Sequence, residues 1–177
     1  MRYGGKRAAG LIFVFLILLM TTGVQAQESA TIQATATVLA SIIITAEHDL
    51  IFGMVLPDVD KSVDKANIGF AGSWHVQGNA GSEISLDFTL PADLMHEDST
   101  ATLRIDFADT DASYDDGSGG GQTSPVGIVN PLGPSAYDLG VGGALDIWIG
   151  GTVRPTLSQT GGDYAADVRL TVAYTGN

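Results

Sequence analysis

The sequence has no cysteine, and it sets only 8 lysines and arginines against 20 acidic residues. Without cysteine there is no thiol catalysis, no cysteine-rich metal site and no lipid-modified N-terminal cysteine. Stability has to come from a packed core rather than from disulfides. The scarcity of positive charge excludes more. Arg2, Lys6 and Arg7 all lie in the first seven positions, so residues 27–177 keep five basic side chains beside every acid. Their net charge is then near −15, which leaves no basic surface to displace counterions from nucleic acid or to meet an anionic membrane. Catalytic signatures are missing as well. There is no glycine-x-serine-x-glycine elbow, no histidine-rich metal motif and no phosphate loop, and no carboxylate pair is singled out by its surroundings. The expectation is a protein that is not an enzyme and has no cofactor beyond, at most, calcium.

Long apolar runs are equally scarce. The one unbroken stretch, Ala8 to Met20, follows the basic start and precedes a small-residue exit at Val24-Gln25-Ala26. It is shorter than the ~20 residues a spanning helix needs. Basic start, short apolar centre and small-residue exit together predict a signal peptide over residues 1–26, cleaved after Ala26. The chain is therefore expected to leave the cytoplasm by the general secretory pathway, for the periplasm, the cell surface or the medium. Residues 27–177 fit a single domain with no membrane span, and ~150 residues bury enough surface to fold without staples.

What is present is period-two alternation. From Ala30 to Ala46 one face carries Ile32, Ala34, Ala36, Val38, Ala40, Ile42 and Ile44, while the other is polar at first and more apolar later. Apolar positions at i+2 among β-branched residues describe a long strand and fit no helix. Further strands are predicted over Leu50–Leu56, Ile68–Gln77, Glu83–Leu90, Thr100–Phe107, Gly143–Val153 and Ala165–Tyr174, with only short edge strands between Pro125 and Leu139. About eight or nine short strands, with turn signals between them and no helical period, point to an all-β antiparallel sandwich. Residues 109–123, acidic and glycine-rich, read as a flexible loop.

Three features compete for function. Ala30 to Ile44 has the pattern of a strand that could add to a neighbour's open sheet edge, and the same pattern serves an ordinary first strand paired at home. Asp109, Asp111, Asp115 and Asp116 are dense enough to suggest Ca²⁺, but Ser113 and Tyr114 stand where a calcium loop of the helix–loop–helix type needs a ligand and a glycine. A solvated acidic tip is the plainer account. His48, His75 and His96 are not spaced to share a metal, and each reads as a surface or turn residue. Trp74 reads as core. Trp148, pointing away from Leu145, Ile147 and Ile149, is either an exposed stacking residue or part of a strand buried on both faces.

Several phrases taken in order carry a resemblance. Leu50-Ile51-Phe52-Gly53 follows the first strand; Trp74-His75-Val76-Gln77-Gly78 leads to Leu90-Pro91; Gly142-Gly143-Ala144-Leu145 and Gly162-Asp163-Tyr164 precede the final alternation Val168 to Tyr174. From Ala30 to Tyr174 the chain resembles the bacterial exported family known as domain of unknown function 4402. Its end is similar to spore-coat-U-type and archaic chaperone–usher pilin domains, although the cysteine pair of many pilins is missing. The resemblance implies an immunoglobulin-like, pilin-like sandwich that is completed by a strand from the next subunit.

The expected function is thus that of a non-catalytic exported structural or interaction protein, a fimbria-like or cell-surface subunit. Its partners would be itself or other surface subunits, helped by a periplasmic chaperone. The residues expected to carry strand pairing are Ile32, Ala34, Ala36, Val38, Ile42 and Ile44 at the start, and Val168, Leu170, Val172 and Tyr174 at the end. The alternative is a monomeric secreted or periplasmic binding module for calcium or a carbohydrate.

Overall fold

The computed structural model describes residues 28–176; the signal peptide expected over residues 1–26 lies outside them. Two units are distinguished. Residues 28–36 belong to the first, which contains no strand within the described residues and exposes every side chain described. The second, from Thr37 onward, contains the 13 strands found among the described residues, where no helix occurs.

In chain order the strands are β1 (Ile43–His48), β2 (Lys61–Val63), β3 (Gly72–Gln77), β4 (Glu83–Thr89), β5 (Asp93–His96), β6 (Thr102–Asp106) and β7 (Ala112–Asp115). They continue as β8 (Gly127–Val129), β9 (Ser135–Asp138), β10 (Ala144–Ile149), β11 (Gly151–Arg154), β12 (Tyr164–Ala165) and β13 (Arg169–Tyr174). Three antiparallel sheets result, ordered β1-β3-β10-β7-β8, β12-β5-β6-β11-β2 and β13-β4-β9. The all-β antiparallel architecture expected from alternation is present, in a layering consistent with a sandwich.

Alternation explains which faces meet. Val76, Leu145, Ile147 and Ile149 of the first sheet are fully buried against Ile84, Leu86 and Leu170 of the third. Each such aliphatic side chain contributes roughly 1.5–3 kcal/mol on burial. A second core gathers Val63, Leu103, Ile105 and Val153 of the second sheet under Phe52 and Ala71, and Phe107 packs against both cores. The two are joined covalently where β10 passes into β11 through Gly150. A Cβ there would fall 2.2 Å from the Val63 carbonyl oxygen, so only glycine lets this chain cross from one sheet to the next.

The differences from expectation are local. Ala30–Ala46 forms a strand only from Ile43, and Ile68–Gln77 only from Gly72. Leu50–Leu56 is not a strand at all. Ile51 donates one backbone bond to Phe70 (2.8 Å), after which the chain turns at Pro57 and Asp58, the latter at φ 60°. Among the described residues no second strand lies beside it, so alternation finds no ladder there. Residues 109–123, expected as a flexible loop, instead contribute β7, which pairs with both β10 and β8. Trp148 is buried although it faces away from the core stripe, so β10 is covered on both faces. β8 and β9 are edge strands, as the prolines around them require.

Candidate functional site

A groove of about 1280 Å³ runs along one flank of the second unit. Its floor is apolar, formed by Trp74, Leu103, Ile105, Ile149 and Val153. One wall consists of β1 and the segment that follows it to Pro57. The other is the strap between β11 and β12, together with the start of β13. Among the described strands both β1 and β13 end their sheets, β1 bonded only to β3 and β13 only to β4. The groove is therefore apolar below and bordered by backbone that has hydrogen-bonding capacity left over.

β1 shows how incomplete this flank is. It is held in register by β3, with Ile44 opposite Val76 and Ala46 opposite Trp74, yet all six of its residues are exposed. Ile44 lines the groove and is 39% exposed, while Val76 beside it is fully buried. Ahead of β1, Asn79 accepts a hydrogen bond from the Ala40 amide (3.1 Å) and Ile42 packs on the first core. Before Ala40 the alternating apolar residues have no cover: Ile32 is 91% and Val38 90% exposed.

The residues expected to pair strands therefore fall into three groups. Ile32, Ala34, Ala36 and Val38 are exposed and lie in no strand. Ile42 and Ile44 belong to the approach and the body of β1, inside their own fold. Val168 and Leu170 line the groove, whereas Val172 and Tyr174 pair with Leu86 and Ile84, and the Tyr174 hydroxyl accepts from the Asn79 amide at 2.8 Å.

Positive charge is used to tie loops. Lys61 donates to the Met54 carbonyl (2.9 Å) and Lys65 to that of Thr110 (2.7 Å). Arg154 pairs with Asp60 and Asp106, and Asp106 also binds Arg104 at 2.8 Å. The Arg104 and Arg154 guanidiniums hold the Asp106 carboxyl below its usual range. Arg169, on the groove, forms no ion pair with another described residue.

The four aspartates considered for calcium have separate fates. Asp115 is buried, and its carboxylate accepts from the amides of Gly117 (2.7 Å), Gly119 (3.1 Å) and Gly121 (2.6 Å). Asp116 accepts from the Ser118 hydroxyl and amide, which lower its pKa. Asp111 accepts from the Ala108 amide at 2.7 Å, and Asp109 is exposed. Among the described residues no three histidine, cysteine or acidic groups are gathered so that they could hold a metal ion. Tyr114 packs on Tyr137 with ring centroids 4.4 Å apart, and burial pushes its phenol up.

His75, between β1 and β10, pairs with Asp146 at 2.6 Å and is half-buried. His96, expected at the surface beside Glu97, is only 6% exposed. Its Nδ1 lies 2.6 Å from Asp98 Oδ1 and its Nε2 3.2 Å from the Gly161 carbonyl oxygen, with Tyr164 edge-on to the ring. The Gly161 carbonyl and then the Asp98 carboxylate raise the His96 pKa. Hydrogen bonds from the Thr100 hydroxyl and amide, more than the imidazole, bring Asp98 down to about 2. Asp98 is two residues from His96 and was within reach of the sequence, but Gly161 is 65 residues away and meets the ring only when β12 pairs with β5.

Among the described residues no helix is long and apolar enough to cross a membrane. Compared with known proteins, the chain matches no family model and no curated protein.

Proposed function

We propose that the chain is a non-catalytic exported subunit of an immunoglobulin-like, fimbria-like or cell-surface assembly that joins its neighbours by strand addition. The observation that carries this reading is the pairing of surplus and deficit in one molecule. An apolar groove lies open between two end strands, and an alternating apolar segment lies ahead of β1 without a ladder. In strand addition the backbone of the incoming segment bonds to a free sheet edge while alternate side chains enter the groove. Ile32, Ala34, Ala36 and Val38 are the side chains that would enter. The acceptor edges are β1 and β13, with Ile44, Val168 and Leu170 on the walls.

Two features favour a neighbour over the segment's own subunit. No glycine or proline occurs between Glu28 and Leu50, so the residues that most readily reverse a chain are missing where it would have to fold back beside β1. Ala40 is also tied to Asn79, which fixes the direction of entry into β1. The resemblance to the exported family and to pilin domains agrees with this reading, as does the signal-peptide pattern.

The test is size-exclusion chromatography with light scattering on the mature protein, exported natively and never heated. A ladder of multimers that collapses on heating is the expected result. A single peak at monomer mass over the whole accessible concentration range overturns the proposal.

A further inference from the structure

The strap that walls the groove, residues 155–163, is fastened to the second sheet at few points. Gln159 donates to the Thr102 carbonyl (2.9 Å), the Glu97 amide donates to the Asp163 carbonyl (2.9 Å), and His96 reaches Gly161. His96 is the buried member of this set. Its ring lies so close to Gly162, at φ 146°, that a Cβ there would fall 2.1 Å from Nε2.

Both ring nitrogens face oxygen acceptors, a carboxylate at Nδ1 and a carbonyl at Nε2. Only the imidazolium carries a proton at each nitrogen, so only the charged ring donates to both oxygens. A neutral ring must present a lone pair to one of the two. Nδ1 lies 2.6 Å from the charged Asp98 carboxylate and accepts, at the longer 3.3 Å, from the Asp98 amide. The short charged contact favours the proton on Nδ1, and the Gly161 carbonyl is then left without a donor from the ring.

We propose that His96 is a pH-operated latch: protonated, it holds the strap against the β5–β6 hairpin, and deprotonated, it releases the Gly161 carbonyl and loosens this wall of the groove. The charged and titratable groups around the ring are Asp98 and Glu97 on its own turn, and Asp163 and the Tyr164 phenol on the strap side. The Asp98 and Glu97 carboxylates favour the cation. The consequence for the groove, that strand entry becomes faster as pH rises, rests on the strand-addition reading; the latch itself does not.

Hydrogen exchange of the strap amides in the monomeric fraction of the full mature chain tests the latch. Spectra are taken at about pH 5.5 and about pH 8.5, on either side of the ordinary histidine range. After correction for intrinsic exchange, protection over residues 159–163 is expected to fall by about an order of magnitude at the higher pH. The amides of β10 should hold theirs. In Asp98→Asn, which keeps an oxygen for the Thr100 amide and hydroxyl, the midpoint should move to lower pH because the ring no longer faces a carboxylate. A His96→Gln variant should show no pH response. Strap protection that is the same at both pH values overturns the latch, and so does an unchanged midpoint in Asp98→Asn. The multimer ladder plays no part in this readout, so a pH-responsive strap in a protein that never multimerises would keep the latch and remove only its proposed consequence.

Discussion

Residues 30–42 and residues 109–123 exchange the roles their compositions suggest. The first has the alternation of a strand, yet only its last residue, Ile42, is partly covered, and Ile32 and Val38 stand almost fully in solvent. The second is acidic and rich in glycine, yet it holds β7, buries Ala112, Ser113 and Asp115, and packs Tyr114 on Tyr137. The difference teaches two separate things. Alternation states that a segment is able to pair; it does not supply the edge to pair with. A carboxylate, for its part, is excluded from the interior only when nothing satisfies it, and three glycine amides converge on Asp115.

The comparison can be broken most sharply by deletion. Removing Glu28–Leu39 should convert every multimer to monomer, as read by light scattering. Multimers that persist would show that assembly uses another surface, and the exposure of this segment would then need another explanation. Next in size, Asp115→Ala leaves three backbone donors without an acceptor and should cost about 3 kcal/mol in denaturant unfolding. Asp115→Asn retains one oxygen and should fall between that and wild type. If Asp115→Ala is neutral, the loop is held by its tyrosine pair alone. The smallest effect belongs to Val38→Ala and Ile32→Ala, which should change the stability of the isolated monomer by less than about 0.5 kcal/mol while weakening multimers. Asp109→Ala should match them in stability and leave assembly unchanged.

Acid titration adds a check on the latch turn. Asp98 is held down to about 2 in the folded chain, against an unfolded value of 3.8. It therefore contributes stability that is present above the unfolded value and lost as pH falls through about 2. His96 has the opposite sign: its pKa is raised, so its contribution is present below 6.5 and lost as pH rises through the folded value. Unfolding free energy followed against pH should thus fall on both sides of a window between these values. In His96→Gln the alkaline decline should disappear, while the acid decline, which rests mainly on the Thr100 hydrogen bonds, should persist in weaker form.

Much of the framework was legible residue by residue. Ile84, Leu86 and Phe88 alternate against Ser85 and Asp87, and β4 follows, with Ile84 and Leu86 fully buried. Leu145, Ile147 and Ile149 mark β10 in the same way. Short elements such as β2, β5 and β12 were not legible, because two to four residues carry too little period to register. Leu50–Leu56 reads as a strand for the opposite reason: its pattern is adequate, but its neighbours in space offer a single backbone bond. The groove was half legible. The alternating segment proposed to enter it stands out in the sequence, while its lining joins Trp74, Ile105 and Val153, which are far apart in the chain.

The sequence by itself determined the all-β class, the surplus of acid, and the faces of the longer strands. These follow from local period and from composition, which no tertiary contact can alter. Only the tertiary structure decided which alternating segments obtain a ladder, which aspartate is buried, and that His96 faces a carboxylate and a carbonyl at once. The ladders and the His96–Gly161 contact depend on groups brought together across long stretches of chain, and such pairing leaves no periodic trace in either segment alone. Asp115 and Asp98 are satisfied within a few residues by tight turns whose form the hydrophobic period does not record.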